Sequence, residues 1–390
     1  MTHPAPHRDG FLAILLIFLR LGLTSFGGPV AHLGYFRAEF VARRQWLSEA
    51  AYADLVALAQ FLPGPASSQT GFALGMLRGG WAGGIAAWIG FTLPSAIVMV
   101  LAAYGVDVLS GSGIVHGLKL VAVAVVAQAV WGMAGSMVPD RIRADIALAA
   151  AISMLLLPAA LTQIGVILAG AALGLARCRD GAGSAGAPLG VTIGRTPAFM
   201  ALAAFLVLLV GLPVLAKLGH GVALAEAGYR AGALVFGGGH VVLPLLERAF
   251  VPSGWVSADE FLAGYALAQA VPGPLFTFGA FLGAASGGVL GGAIVLVAIF
   301  LPGLLLMAGA LPFWDGLRRR PESQAALRGV NAAVVGILVA ALFDPIFLSS
   351  VRTPADFAVV LAAFVALMLW KAPPWAVVAA AAAAGALLAA

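Results

Sequence analysis

Apolar residues in this chain fall in long, nearly charge-free runs rather than at helical or alternating spacing. Runs of roughly 20 residues, the length a helix needs to cross a hydrocarbon layer, recur from Phe11 onward. They predict membrane segments near 11–35, 81–106, 114–137, 142–157 and 160–176, and again near 222–249, 288–311, 323–346, 355–371 and 373–389. Each set also holds two short helices broken by proline and glycine, 48–62 with 64–79 and 258–271 with 273–286. One further apolar run, 197–217, follows a Gly-, Ala- and Ser-rich stretch between Arg177 and Arg195, the most loop-like part of the chain. The predicted division is a first repeat over 1–176, a linker with an extra apolar segment over 177–217, and a second repeat over 218–390. The predicted fold class is an all-α, polytopic integral membrane protein of two homologous halves.

The repeat is visible residue by residue. Trp46 to Pro65 aligns without gaps on Trp255 to Pro274, with nine of twenty residues identical. Upstream, Arg20-Leu21-Gly22 through Phe26-Gly27-Gly28 aligns on Arg230-Ala231-Gly232 through Phe236-Gly237-Gly238. Basic residues mark opposite loops in the two copies. The first half carries Arg37, Arg43 and Arg44 before its broken pair and no Lys or Arg between Asp107 and Ser112. The second carries only Arg248 before its pair, and Arg318, Arg319, Arg320 and Arg328 afterwards. Basic loops stay cytoplasmic, so equivalent loops are expected on opposite faces, the inverted repeat of many secondary transporters. The span count leaves two solutions. Either both broken pairs are re-entrant and 197–217 does not cross, or a broken pair crosses once and 197–217 spans.

Composition narrows the class. Apolar residues make up 62% and charged residues 9% of 390 positions, and mean hydropathy is +1.05, so a water-facing surface cannot be built. The net charge of +5 reflects cytoplasmic loops rather than nucleic-acid binding. A single cysteine, Cys178, excludes an internal disulfide and a Cys-clustered metal site. The N-terminus lacks a cleavage signal, and Phe11 onward reads as a retained helix. No His-Glu-x-x-His helix, Gly-x-Ser-x-Gly elbow or acidic cluster points to an intramembrane enzyme.

The chemistry concentrates at the breaks. Pro63-Gly64-Pro65 and Pro272-Gly273-Pro274 interrupt helices inside apolar sequence, and non-helical backbone at membrane depth survives only where protein or a wet cavity satisfies it. The helix restarting after Pro65 opens on Ala66-Ser67-Ser68-Gln69-Thr70, and hydroxyls beside a helix N-terminus suit a tetrahedral dianion. The second copy keeps one hydroxyl, Thr277, so the two sites need not be equivalent. Gly27, Gly28, Gly237 and Gly238 are further breaks or close-packing surfaces. Arg20 and Arg230 lie nine or ten residues into their helices, near the midplane, where a guanidinium is costly unless paired or bound to an anion. Thr24 shares the face of Arg20, and Asp54 and Glu226 are the candidate partners if these arginines form structural ion pairs. Gln60 and Gln269 sit one turn before the prolines, either lining a cavity or capping loose carbonyls. Lys119, His116, Asn331 and Asp344 fall in or near apolar segments without an assigned role, and His32 and His240 are a weak proton-coupling signal. Trp81, Trp88, Trp314, Trp370 and Trp375 read as interfacial anchors.

The motifs Phe26-Gly27-Gly28-Pro29 and Gln60-Phe61-Leu62-Pro63-Gly64-Pro65, their second copies, the run from Gly71-Phe72 to Gly79-Gly80-Trp81-Ala82-Gly83, and Leu93-Pro94-Ser95 resemble the chromate ion transporter family in its long, two-domain form. The resemblance covers nearly the whole chain. It implies a secondary transporter, not an enzyme, that exports chromate across the cytoplasmic membrane and confers resistance, with sulfate as an analogue or alternative substrate. Its partners are then a small inorganic oxyanion and membrane lipid, with no nucleic acid and no cofactor, and a homodimer is left open. The substrate-binding residues expected on this reading are the two arginines, Thr24, the glycine breaks, Gln60 and Gln269, the two Pro-Gly-Pro motifs, Ser67, Ser68 and Thr277.

Overall fold

The computed structural model describes residues 9–26, 28–108, 113–157, 160–178, 194–236, 241–314 and 320–389. Gly27, Gly237, Gly238, His240, Arg318 and Arg319 lie outside them. Every regular element among the described residues is helical. The first half runs α1 (Phe11–Thr24), α2 (Gly28–Phe36, continued by a π-helical stretch Arg37–Arg43), α3 (Glu49–Phe61), α4 (Ala66–Val108), α5 (Gly113–Met137), α6 (Arg141–Leu156) and α7 (Ala160–Arg177). After α8 (Arg195–Leu215) the second half runs α9 (His220–Ala233), α10 (Val242–Phe250), α11 (Ala258–Ala270), α12 (Phe278–Ala310), α13 (Pro321–Ala341), α14 (Pro354–Met368) and α15 (Pro374–Ala389). Among the described residues, five helical stretches, 66–106, 113–137, 195–218, 275–313 and 321–350, are long and apolar enough to cross a membrane. Large apolar side chains cover the outside, Leu101, Val207 and Leu290 among them, as a lipid-facing surface requires.

The apolar run 11–35, expected to be one segment, is two helices. At 14 residues α1 is ~21 Å long, too short to cross a ~30 Å core. The chain breaks after it, and α2 returns alongside, setting Phe36 edge-on to Phe18 with ring centroids 5.7 Å apart and its π-helical extension stacking Phe40 on Phe18 at 5.0 Å. The run 222–249 is corrected in the same way, into α9 and α10. α4 and α12 leave helical angles at Gly79–Gly80 and Gly287–Gly288 and double back, Gly75 lying against Gly83 and Gly283 against Gly291. With no side chains in the way, the two arms of each helix touch backbone to backbone.

These reversals sort the loops onto two ends of the bundle. At the first, Arg78 binds Asp9 at 3.0 Å and stands 5.1 Å over the Trp46 ring. At the second, His220 reaches the Ser286 carbonyl at 3.0 Å and Trp255 at 5.3 Å, using the counterparts of Arg78 and Trp46. The long arm of α4, 81–108, connects the two ends, because Tyr104, ~35 Å along it, meets Gly288. It runs antiparallel to the long arm of α12: Tyr104 meets Gly288, Val100 meets Gly292, and Trp88 meets Phe300. α8 also joins the ends, touching Gly309 through Ala198 and Leu202, accepting the Tyr229 hydroxyl at Phe205, and delivering the chain to His220.

The halves exchange their last helices. α6 and α7 pack on α13, whereas α5 packs on α14 and α15. An ion pair and a hydrogen bond join α5 to the second half: Lys119, 2% exposed, holds Asp259 at 2.6 Å, and the His116 ring lies 2.7 Å from the Asp356 carboxylate. Trp314, expected at the interface, is buried with its ring 5.6 Å from Phe61. Trp81, Trp370 and Trp375 are exposed.

Candidate functional site

The two Pro-Gly-Pro breaks meet the opposite half. Pro63 and Pro65 carry no N–H, so Gly64 supplies the one amide donor of its motif, and it donates to the Val235 carbonyl at 2.7 Å. Gly273 is the equivalent donor of the second motif, and it donates to the Ser25 carbonyl at 2.9 Å. Ser25 and Val235 are the matching residues of the repeat, one residue past the end of α1 and two past the end of α9. Each Pro-Gly-Pro motif therefore closes on the first break of the other half. Gly64 has φ +125° and Gly273 φ +97°, angles that exclude ordinary side chains. Space excludes them too. A Cβ on Gly64 would stand 2.9 Å from the Gly303 Cα, and one on Gly273 2.7 Å from the Ser95 Oγ. Gly303 and Ser95 are again matching residues, each beside the proline of a long arm.

Polar side chains are buried around this crossing, nearly all from the first half. Ser25, His32, Ser67, Ser68, Gln69, Thr70, Thr92 and Ser95 are each at most 2% exposed. Gln69 Nε2 donates to the Pro63 carbonyl at 2.9 Å and to the Gly303 carbonyl at 3.1 Å, tying the break to α12. His32 Nε2 lies 3.2 Å from the Ser25 carbonyl, which can only accept. The neutral ring therefore carries its proton there, and Nδ1 accepts from the Ser67 hydroxyl at 3.4 Å. Counted from the Pro-Gly-Pro motifs, Phe276 and Phe278 take the places of Ser67 and Gln69 in the second half, and Thr277, at the place of Ser68, turns its hydroxyl onto the Pro274 carbonyl at 2.9 Å.

Several of these groups are left unsatisfied. Ser25 Oγ, Ser68 Oγ, Gln69 Oε1 and Thr92 Oγ1 are buried without a hydrogen-bond partner among the described residues. Buried polar atoms are nearly always paired, by protein, water or ligand. The helix from Ala66 adds the free amide hydrogens of its first turn and the positive end of its dipole. The crossing thus offers hydroxyls, an amide oxygen and peptide dipoles, with no carboxylate among the groups named here.

The predicted residues divide between this crossing and its surroundings. Pro63, Gly64, Pro65, Ser67, Ser68, Pro272, Gly273, Pro274 and Thr277 form it, and Gly28 opens α2 beside it at φ +75°. Gln269 lies one turn before the second break, hydrogen-bonded to Tyr265, while Gln60 is exposed. Arg20 and Thr24 are exposed and line a cavity of about 390 Å³ with residues of α2 and its extension. Arg230 is paired with Glu226 at 3.0 Å, one of the partners read from the sequence. The sequence alone does not mark Ser25, Thr92 and Ser95 as site residues, although Ser25 adjoins the Phe26-Gly27-Gly28 break and Ser95 belongs to the Leu-Pro-Ser motif.

A duplicated, apolar-surfaced helical bundle whose broken helices meet at a buried polar cluster is the architecture of a membrane transporter. The sequence profile of the chromate transporter family matches residues 12–175 and 222–386, and the chain belongs to that family. It is 30% identical over 390 aligned residues to the chromate transport protein of Pseudomonas aeruginosa, covering 95% of this chain and 90% of that protein. The chromate transport protein of Cupriavidus metallidurans is 28% identical over 344 residues, covering 84% of this chain and 81% of the relative. The probable chromate transport protein of Synechococcus elongatus is 27% identical over 333 residues, covering 83% and 82%. No solved structure matches. The protein is a multi-pass membrane transporter and not an enzyme.

Proposed function

We propose that this protein exports chromate across the cytoplasmic membrane, with the anion passing through the crossing of the two Pro-Gly-Pro breaks. The observation that carries the reading is the reciprocal pair of bonds, Gly64 to Val235 and Gly273 to Ser25, set among buried hydroxyls that have no partner. Such a crossing is polar at membrane depth without being charged, so it can take an oxyanion from water and release it again. The named relatives support chromate as the substrate.

The same reading takes the halves, 1–176 and 218–390, as an inverted repeat joined by 177–217. α1 and α9 would begin at opposite faces of the membrane. In support, the long arms of α4 and α12 are antiparallel, and α8 supplies the odd crossing that carries the chain from one face to the other before α9. Both broken pairs are then re-entrant and 197–217 also spans, because the run 11–35 is itself a hairpin. The basic loops support a cytoplasmic position for the first end of the bundle.

The test is uptake of labelled chromate into inside-out vesicles, with and without an imposed potential, with labelled sulfate as the competing substrate. Potential-dependent accumulation of chromate is expected. Accumulation of sulfate alone would overturn the substrate, and accumulation only in right-side-out vesicles would overturn the direction.

A further inference from the structure

The cavity beside α1 is charged, and its charges do not balance. Arg20, Arg43, Arg44 and Glu39 line it together with Thr24 and Tyr35. Glu39 is the one carboxylate in the lining, and both its oxygens are taken: Oε2 by Arg43 at 2.9 Å and Oε1 by the Nε of Arg44. The Arg20 carbonyl accepts from the Thr24 hydroxyl at 2.8 Å, but its guanidinium makes no hydrogen bond or ion pair among the described residues. Three guanidinium groups against one carboxylate leave two positive charges uncompensated.

The second half shows what neutralisation would look like. Arg230 is paired with Glu226, four residues earlier on α9, at 3.0 Å. The matching position on α1 is Leu16, 54% exposed on the same outward face as Arg20. The first half therefore holds the arginine without the carboxylate that pairs with it in the second. Arg20 lies nine residues into α1, ~13 Å along it, and helical side chains lean toward the N-terminus. Its guanidinium thus leans back toward Arg43 and Arg44, at the end of the bundle where α1 begins. An arginine at that depth is expensive unless an anion meets it.

We propose that this cavity is a binding site for a tetrahedral oxyanion carrying one or two negative charges, held by Arg20, Arg43 and Arg44. Two sources share that chemistry: a free dianion such as sulfate or chromate, and the phosphate of an anionic lipid lying along the exposed face of α1. The site is separate from the crossing, and its occupancy does not depend on the transport reading. If the free dianion fills it, the role as a first capture point rests on that reading, since Thr24 in the cavity wall directly precedes Ser25 at the crossing.

Trp46 provides a local reporter, because the Arg44 guanidinium lies 6.0 Å from its ring. The full chain in discs of phosphatidylcholine is titrated with sulfate while tryptophan fluorescence is followed, with Trp46→Phe to isolate the signal. A saturable response is expected, weakened about tenfold or more in Arg20→Gln and in Leu16→Glu, which supplies the missing carboxylate without removing the arginine. Ser68→Ala, at the crossing, should leave the response intact, so failure here and failure of the crossing are read separately. In discs containing phosphatidylglycerol, an undiminished sulfate response assigns the site to the free anion. Loss of the response, with phospholipid retained by wild type but not by Leu16→Glu in native mass spectrometry, assigns it to lipid phosphate. If sulfate response and phospholipid retention are both indifferent to Arg20→Gln and Leu16→Glu, the proposal is overturned.

Discussion

The Gly64 amide donates to the Val235 carbonyl, a residue of the other half, at 2.7 Å, and the matching amide of Gly273 donates back to Ser25 at 2.9 Å. Neither half can satisfy its own break. Two proline rings remove the neighbouring donors, and the remaining amide finds its acceptor only when the partner half is in place. The same reciprocity appears in the exchanged helical pairs on α5 and α13.

Gly64→Ala and Gly273→Ala test that relationship. Each forces a side chain into a positive-φ position, a strain on the order of 1–3 kcal/mol, and pushes a Cβ against Gly303 or Ser95. Both variants should lower the melting temperature and reduce chromate transport by more than about tenfold in reconstituted vesicles. Wild-type transport in either would show that the crossing tolerates a shifted break and is not the pathway.

The proposed inverted arrangement predicts which residues label from which side. In a Cys178→Ser background, single cysteines at Ala50 and Glu322 should react with an impermeant maleimide from the cytoplasmic face. Cysteines at Ser253 and Arg352 should react from the other. If Ala50 and Ser253, from matching loops of the repeat, label from the same face, the two halves are parallel.

How much of this was legible in the sequence depended on how local its cause was. The Pro-Gly-Pro breaks were readable because proline and glycine act on their own backbone, and the duplication because Trp46 to Pro65 repeats as Trp255 to Pro274. The turn after Thr24 is legible only in part: the glycine pair reads equally as a break or a packing surface, and the run 11–35 stays apolar through it, so its division into two helices does not show. The burial of Trp314 and the partners of Lys119 and His116 depend on helices more than a hundred residues away in the chain. The contrast between Leu16 and Glu226 stood in the sequence. Only the structure shows Arg43 and Arg44 occupying Glu39, which leaves Arg20 unmatched.

The pair between Lys119 and Asp259 should be lopsided. Lys119 is 2% exposed and Asp259 58% exposed at a separation of 2.6 Å. Asp259→Asn strands a buried ammonium and should destabilise by about 1–3 kcal/mol, whereas Lys119→Met frees a carboxylate that water can solvate and should cost less. Thermal unfolding of the two single variants and the double variant measures it, and equal losses in both singles would contradict the asymmetry.

Ser68 separates ligand binding from structure most cleanly. Its side-chain oxygen is buried and has no partner among the described residues, and its counterpart Thr277 turns its hydroxyl onto the backbone instead. Removing a hydroxyl that bonds nothing relieves a desolvation cost, so Ser68→Ala should leave stability unchanged or slightly raised. If that hydroxyl meets the anion, its loss should weaken apparent affinity by about tenfold, the equivalent of ~1.4 kcal/mol. Ser68→Thr keeps the hydroxyl and should recover part of the affinity, while Thr277→Ala, whose hydroxyl already has a partner, should alter stability more than affinity. The measurement is the concentration dependence of chromate uptake beside the melting temperature of each variant. Ser68→Ala with wild-type affinity would remove Ser68 from the pathway, and a large fall in melting temperature would show that the hydroxyl is structural after all.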